Sequence, residues 1–578
     1  MSQHLPTVAV VGPGTAGSAL IAALAAGGLG VLAVARDDAA LRRGRRRVLD
    51  RLGDDAAAAG RVTFTTDPGH AIECGLVVEA LPERDGLKER ALAGLGAACA
   101  AGTVLATTAT GSSITGLASA AGRVDRLLGL RPAGTSALPT LLEIAHTPFT
   151  GAAARAAVED LVDAAGLARV TVGDRPGFVA GGLMMAYLNA AVHMHERRYA
   201  TPHDIETAMM LGCGLPRGPL AELDRIGLDT VLDALTALHG RTGDGRYAPA
   251  PLLRQMVAAG LLGDKSGRGF LTGAHPADGA AAGAGTSSAA PAPAVSAVGI
   301  IGTGTMAAGI AEVCVRAGHP TTVVGRTEVR AKEAVAVAER SLHRAAARGL
   351  TEPGEAEAAT ARLGIASDPA AAAGCDVVIE AVAEDAGIKT DVFAALDRVC
   401  RPGTLLASTT SSLPVIGLAM ATSRPEQVVG LHFFNPAPRM RLVEVVRTVR
   451  TSGETERRAH AFCAALGKRV VGCADRTGFI VNALLFPYLN QAAGLLADGY
   501  ADADGVDLVM NRGWGYPMGP LRLLDTVGLD VSLAIQRSLH LASGRPSDEP
   551  ARVLRLLVSA GLLGRKSGRG FHPHGTGR

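Results

Sequence analysis

The sequence predicts an α/β domain on a parallel sheet followed by an all-α helical domain, the pair occurring twice in tandem. Three observations lead there. First, VAVVGPGTAGSAL (8–20) answers VGIIGTGTMAAGI (298–310), VVEALPERDGLK (77–88) answers VIEAVAEDAGIK (378–389), and LLGDKSGRGF (261–270) answers LLGRKSGRGF (562–571). Second, short apolar runs alternate with helical stretches early in each copy, which puts helices on both faces of a parallel sheet. Third, from about 177 and 478 onward the pattern turns wholly helical, most clearly in GFIVNALLFPYLNQAAGLLADG (478–499). A period near 300 residues is too long for a solenoid repeat. It marks a duplicated multi-domain unit, as the length of 578 residues also suggests.

Each copy opens on a strand and a glycine-rich turn. Gly302-Thr303-Gly304-Thr305-Met306-Ala307 fits the tolerated G-x-G-x-x-A form, and Gly12-Pro13-Gly14-Thr15-Ala16-Gly17 fits G-x-G-x-x-G. The first glycine permits a tight turn. The second lets the backbone approach a pyrophosphate, and the third small residue lets helix and strand pack closely. The boundaries read as follows: Rossmann-type domain 1–175, helical domain 176–272, flexible linker 273–296, Rossmann-type NAD(P)-binding domain 297–474, helical C-terminal domain 475–578. The linker is almost purely Gly, Ala, Ser and Pro, too poor in apolar surface to offset its ordering entropy.

NAD sites usually place an acid at the end of the second strand, on the ribose 2′-hydroxyl. Here that strand ends in Gly325-Arg326-Thr327, and in Ala35-Arg36-Asp37 in the first copy. An arginine in that place pairs with a 2′-phosphate. NADP(H) is therefore favoured, with NAD(H) and a ligand-free surface arginine left open as alternatives. The run LRRGRRR (41–47) looks like a nucleic-acid patch in isolation. Following a second strand, it reads better as a solvated helix face, with 2′-phosphate contact left open.

Composition excludes several classes. With 57 Lys and Arg against 54 Asp and Glu, the net charge of +3 calls for neither nucleic acid nor an acidic membrane as partner. No uninterrupted apolar run is long enough to span a bilayer, and the N-terminus has no basic, leader-like start. The eight cysteines form no C-x-x-C pair and no metal-ligand spacing. They read as buried thiols in a reducing compartment, so the expected location is cytoplasmic, with no metal.

TSSL (410–413), GLHFFNP (430–436), LVEVV (442–446), DRTGFIVNALL (475–485), GYPMGPLRLLD (515–525) and GRKSGRGF (564–571) together resemble the 3-hydroxyacyl-CoA dehydrogenase family. The resemblance covers 298–571 with its motifs in order, and 8–270 more loosely. It implies that His432 is the general base or acid at the 3-hydroxyl. It implies that Glu444 holds the imidazole, and that Ser411 and Asn482 hydrogen-bond the reacting oxygen and the thioester end. It implies dinucleotide contacts for Glu384, Lys389, Asn435 and Lys566, with a surface ion pair or helix cap as the alternative for Glu384 and Lys389. The chemistry is coherent: hydride transfer to a carbonyl leaves an alkoxide that needs a proton donor, and histidine titrates in the useful range.

At an offset of 301 residues, the first copy has Thr110 for Ser411, Arg131 for His432, Gly134 for Asn435 and Gly181 for Asn482; only Glu444 keeps its match, as Glu143. Arginine cannot shuttle a proton near neutral pH. The first copy thus reads as a pseudo-enzyme. Gly12 and Gly302 are only 290 apart, so the second copy carries 11 extra residues before Asp368. The expected function is interconversion of 3-oxoacyl and 3-hydroxyacyl thioesters, as NADPH-dependent reduction. The substrate is expected on coenzyme A or an acyl carrier protein, with a ketoreductase on a polyketide-type substrate as the variant. A non-catalytic dinucleotide-binding scaffold is the alternative of another class. In the family the helical domains pair two subunits, so the two halves are expected to form an internal pseudo-dimer, with further homo-oligomerisation left open.

Overall fold

The computed structural model describes residues 8–84, 86–134, 136–272 and 295–575. The first half forms β1 (Val8–Val11), β2 (Val31–Val34), β3 (Val62–Thr65), β4 (Leu76–Glu79), β5 (Val104–Thr107), β6 (Leu127–Pro132), β7 (Leu141–His146) and β8 (Ala168–Gly173). The second forms β9 (Val298–Ile301), β10 (Thr321–Val324), β11 (Leu363–Ala366), β12 (Val377–Glu380), β13 (Leu405–Ser408), β14 (Val428–Phe433), β15 (Leu442–Arg447) and β16 (Arg469–Ala474). The sheets run in the orders 3-2-1-4-5-6-7-8 and 11-10-9-12-13-14-15-16. Every neighbouring pair is parallel except β6–β7 and β14–β15. Central strands such as β4, β5, β12 and β13 are buried along their whole length. That is why they read as unbroken apolar runs rather than alternating ones. The order reverses beside β9, and this switch point is where open α/β sheets bind ligands.

The 11 additional residues of the second half fall between its second and third strands. They lengthen one helix from Asp38–Leu52 to Glu328–Ala347, extend the turn after it, and lengthen the next helix from Ala56–Ala59 to Pro353–Thr360. The LRRGRRR run lies on helix Asp38–Leu52, with all five arginines exposed and Gly44 buried against Pro13 of the glycine turn. The expected linker lies outside the described residues apart from Val295 and Ser296; the Ser296 amide donates to Asp376 Oδ2 at 2.6 Å. No helix among the described residues is long and apolar enough to cross a membrane. All eight cysteines are free thiols, seven of them buried and Cys213 half-buried.

The two helical domains pack on each other. Tyr187 and Tyr488, which are 301 positions apart, meet with ring centroids 5.9 Å apart. Around them contacts recur with the roles of the halves exchanged, as in a two-fold pair. The Gly173 amide donates to the Tyr500 carbonyl at 3.1 Å, and the Ala474 amide to the Tyr199 carbonyl at 3.0 Å. The Arg175 guanidinium lies over the Tyr500 ring and that of Arg476 over Tyr199. Some contacts have no counterpart: Arg175 pairs with Asp498 at 2.7 Å, and Gln491 donates to the Gly182 carbonyl and the Tyr247 hydroxyl. One apolar cluster runs through both helical domains, whereas the outer face of each sheet has its own.

Residues 295–578 produced alone would lose the partners of Tyr488 and Gln491 and expose an apolar helix face. Light scattering should then find homodimers or aggregates. A monomer as heat-stable as the full chain would mean that the seam contributes nothing.

Candidate active site

Residues from five segments meet at the C-terminal edge of the second sheet. His432 and Glu444 face each other directly across the antiparallel β14–β15 pair. Their side chains therefore share one face of the sheet, as opposed residues must. His432 Nδ1 is 2.6 Å from Glu444 Oε2, and Nε2 is 3.1 Å from Ser411 Oγ. A carboxylate only accepts, so Nδ1 carries the proton of this bond and Nε2 is left as the working nitrogen.

Glu444 is fully buried. Its second oxygen accepts the amides of Ile480 and Val481, at 3.0 and 2.9 Å, where helix Val481–Ala497 begins. A carboxylate at a helix N-terminus satisfies free amides and complements the dipole. The turn before that helix places Gly478 and Phe479 at φ 82° and 49°. A phenylalanine at positive φ is strained and persists only where packing demands it. Phe479 is buried, and its ring centroid lies 5.4 Å from that of His432; Phe434 packs edge-on against the same ring at 4.7 Å.

The Ser411 loop is held from below. Glu384 Oε1 accepts the Thr410 hydroxyl at 2.7 Å and the Ser411 and Ser412 amides at 2.9 and 3.1 Å. Burial pushes the Glu384 carboxyl up, but these donors and the Lys389 ammonium outweigh it, and the net shift is downward. Lys389 is 1% exposed. Its ammonium bonds Glu380 at 2.7 Å and approaches Glu384 at 3.5 Å. Glu380 also accepts the Ser408 hydroxyl at 2.7 Å. The first half repeats this buried cluster with Glu79, Lys88 and Thr107. Lys389 is thus a buried strut beneath the loop, not half of a surface ion pair.

The glycine turn is shaped for a pyrophosphate. Gly302 has φ 133°, and a Cβ there would lie 2.3 Å from the Ala381 carbonyl oxygen. Gly304 faces open space, and helix Thr305–Arg316, which starts at Thr305 and Met306, has no side chain capping its first amides. Those amides are available to an anion. Thr303 packs its methyl group 2.9 Å from where a Cβ on Gly325 would stand. Gly325 is buried and leaves no room for the usual acid, whereas Arg326 is exposed. Among the described residues Arg326 has neither hydrogen-bond nor ion-pair partner, in contrast to Arg36, which is tied to Asp37 at 2.8 Å.

Three predicted residues stand apart from the His432–Glu444–Ser411 chain. Asn482 follows Val481 in the helix that Glu444 anchors and is 8% exposed, but its amide bonds none of the other three. Asn435 is exposed just beyond β14. Lys566 pairs with Asp530 inside the helical domain, and the first half repeats this pair as Lys265 and Asp229. No group of metal-ligating side chains exists among the described residues.

At the same place in the first half, Glu143 still accepts two helix amides, from Val179 and Ala180, at 2.8 and 3.2 Å. Burial pushes its carboxyl up, with Arg131 opposing. Arg131 stands opposite Glu143 in the strand register, its guanidinium over the Phe178 ring. A Cβ on Gly181 would lie 3.3 Å from Arg131 Nη1, so the missing asparagine side chain is the space the arginine uses. Gly134 lies with φ 83° against the backbone of Gly513 from the second half, where any side chain would collide.

The family description "3-hydroxyacyl-CoA dehydrogenase, NAD binding domain" matches residues 7–175 and 297–476, and "3-hydroxyacyl-CoA dehydrogenase, C-terminal domain" matches 177–273 and 478–573. The chain belongs to the 3-hydroxyacyl-CoA dehydrogenase family. It is similar to the 3-hydroxybutyryl-CoA dehydrogenase of Mycobacterium tuberculosis, 43% identical over 283 residues, which is 49% of this chain and 99% of that protein. It is also similar to the mitochondrial hydroxyacyl-coenzyme A dehydrogenase of Mus musculus, 41% identical over 285 residues, 48% of this chain and 90% of that one. A crystal structure of 3-hydroxybutyryl-CoA dehydrogenase from Escherichia coli aligns over 96% of this chain and 99% of its own, with a TM-score of 0.65 and 21% identity, and shares the fold. The chain is accordingly an oxidoreductase of a family that works with a nicotinamide cofactor.

Sequence reasoning missed Glu380, Thr410 and Phe479. The signal for Glu380 was there: both copies end the fourth strand in VVEA or VIEA and place a lysine nine residues later. Lys389→Met would leave Glu380 buried without its counter-charge, at a cost of about 3–5 kcal/mol. Urea unfolding of the full chain should register that loss; a change in dinucleotide affinity at unaltered stability would contradict the strut.

Proposed function

We propose that the second half reduces 3-oxoacyl thioesters to 3-hydroxyacyl thioesters with NADPH, on coenzyme A or an acyl carrier protein, and that the first half is a non-catalytic partner. The observation that carries this reading is the continuous Glu444–His432–Ser411 chain, which the first half interrupts with Arg131. Gly302, Gly304 and the open helix start would hold the pyrophosphate of the dinucleotide, and Arg326 its 2′-phosphate. When bound, the nicotinamide supplies the hydride.

The protein's own groups manage the proton. As negative charge gathers on the 3-oxygen, His432 Nε2 delivers a proton to it. Glu444 stabilises the imidazolium form that precedes this transfer and fixes the ring's orientation. The Ser411 hydroxyl, bonded to Nε2 without substrate, hydrogen-bonds the same oxygen. Asn482, one residue past the anchored amide of Val481, holds the thioester end. Phe434 and Phe479 keep bulk water from the ring, which strengthens each of these bonds. In the first half no group can perform the proton step, since Arg131 stays charged. The fit of Arg131 into the space at Gly181 supports an arginine settled in a retired site.

The full chain should consume NADPH with acetoacetyl-CoA, and His432→Ala should lower kcat by about 10²–10⁴. Activity that survives the substitution would remove His432 from its role. Arg326→Gln tests the coenzyme separately. It should lower the ratio of kcat/KM for NADPH over NADH by about tenfold, the loss of one charge-assisted phosphate contact. An unchanged ratio would point to NAD(H).

A further inference from the structure

Two cavities lie along the seam between the halves, in equivalent places. The larger, of about 330 Å³, is walled by Met184, Tyr187 and Glu222 of the first half and by Trp514 and Tyr516 of the second. The smaller, of about 180 Å³, is walled by Leu485, Tyr488 and Leu523 of the second half, and by Met209, Cys213 and Leu215 of the first. At the 301-residue offset Met184, Tyr187 and Glu222 become Leu485, Tyr488 and Leu523, while Trp514 and Tyr516 become Cys213 and Leu215. Their chemistry is opposite. Arg217, Glu222, Arg225 and Arg512 line the larger cavity, whereas no charged residue lines the smaller.

The smaller cavity shares walls with the elements that pack on the catalytic strand pair. Leu485 lies one turn beyond Asn482 on the helix whose first amide, from Val481, holds Glu444. Gly212, next to Cys213, fits so closely that a Cβ would stand 2.8 Å from Val481 and 3.1 Å from Leu442. Leu442 is two residues before Glu444 on β15. Burial raises the Cys213 thiol to about 12, and the negative charge of Glu444 acts on it in the same direction. The first-half helix Pro202–Cys213 therefore ends against Val481 and Leu442, and its last residue lines the cavity.

We propose that this cavity receives the aliphatic tail of the acyl group, and that the first half, through Met209, Cys213 and Leu215, sets the length of tail admitted. The inference rests on the reading of the second half as a 3-oxoacyl thioester reductase. An aliphatic tail needs a dry, uncharged wall, and each methylene buried in one is worth roughly fourfold in binding. Of the two cavities the smaller offers such a wall; its counterpart has Glu222 in place of Leu523 and Arg217 in place of Met518. The retired half thus remains part of substrate selection.

The test compares two variants of the full chain, Met209→Ala to lengthen the cavity and Leu215→Phe to shorten it. The readout is the ratio of kcat/KM for 3-oxooctanoyl-CoA over acetoacetyl-CoA. It should rise with Met209→Ala and fall with Leu215→Phe, the two differing by at least about tenfold. If one variant fails to fold, judged by its Tm, the other still moves the ratio in its own direction. A ratio unchanged in the folded variants, or equal loss on both substrates, overturns the proposal. Absence of turnover by the unmodified protein on either thioester would overturn the functional reading instead.

Discussion

A single buried carboxylate ties sheet to helix in each half. Glu444 and Glu143 each accept two amides from the start of the following long helix, and so fix where the helical domain meets the α/β domain. In the second half the same carboxylate orients His432 with its other oxygen. The position of the imidazole is therefore a by-product of the joint between domains. This gives Glu143 a structural task even though Arg131 stands where the second half has its histidine: removing Glu143 would leave two helix amides without acceptors, buried among apolar side chains, a loss in the range of about 1–3 kcal/mol per group.

The changes in the first half are not independent of one another. Arg131 is longer than the histidine it replaces and needs space, and that space is what Gly181 leaves open. Gly134, in place of an asparagine, allows the chain to lie directly on the Gly513 backbone across the seam. Loss of polar side chains thus coincides with closer packing between halves. Where the first half kept its polar residues, as with Glu79, Lys88 and Thr107 under the fourth and fifth strands, they are buried in a mutually satisfied cluster whose disruption would be costly.

Much of the architecture was legible in the sequence because it depends on local pattern and on repetition. The glycine turns, the alternation of strand and helix, and the 301-residue offset follow from residues near one another or from comparing two stretches of one chain. The approach of Ser411, His432 and Glu444 came from a resemblance, and its geometry rests on strand register, which no local pattern encodes. Lys389 and Lys566 illustrate the limit. The resemblance implies a dinucleotide contact for both. One is buried on Glu380, and the other pairs with Asp530, 36 residues away. Long-range partners of this kind leave no mark in a single sequence, except that both pairs recur in the first copy, as Lys88 with Glu79 and Lys265 with Asp229.

The seam has a consequence for how such a chain can change over time. When two identical subunits associate, one gene shapes both, so a change that suits one of them appears in the other as well. Here the hydrogen bonds from Gly173 to Tyr500 and from Ala474 to Tyr199 join two stretches of the same polypeptide. The stoichiometry of that contact is then set at translation. Each copy is free to drift under its own selection without altering the sequence of the other.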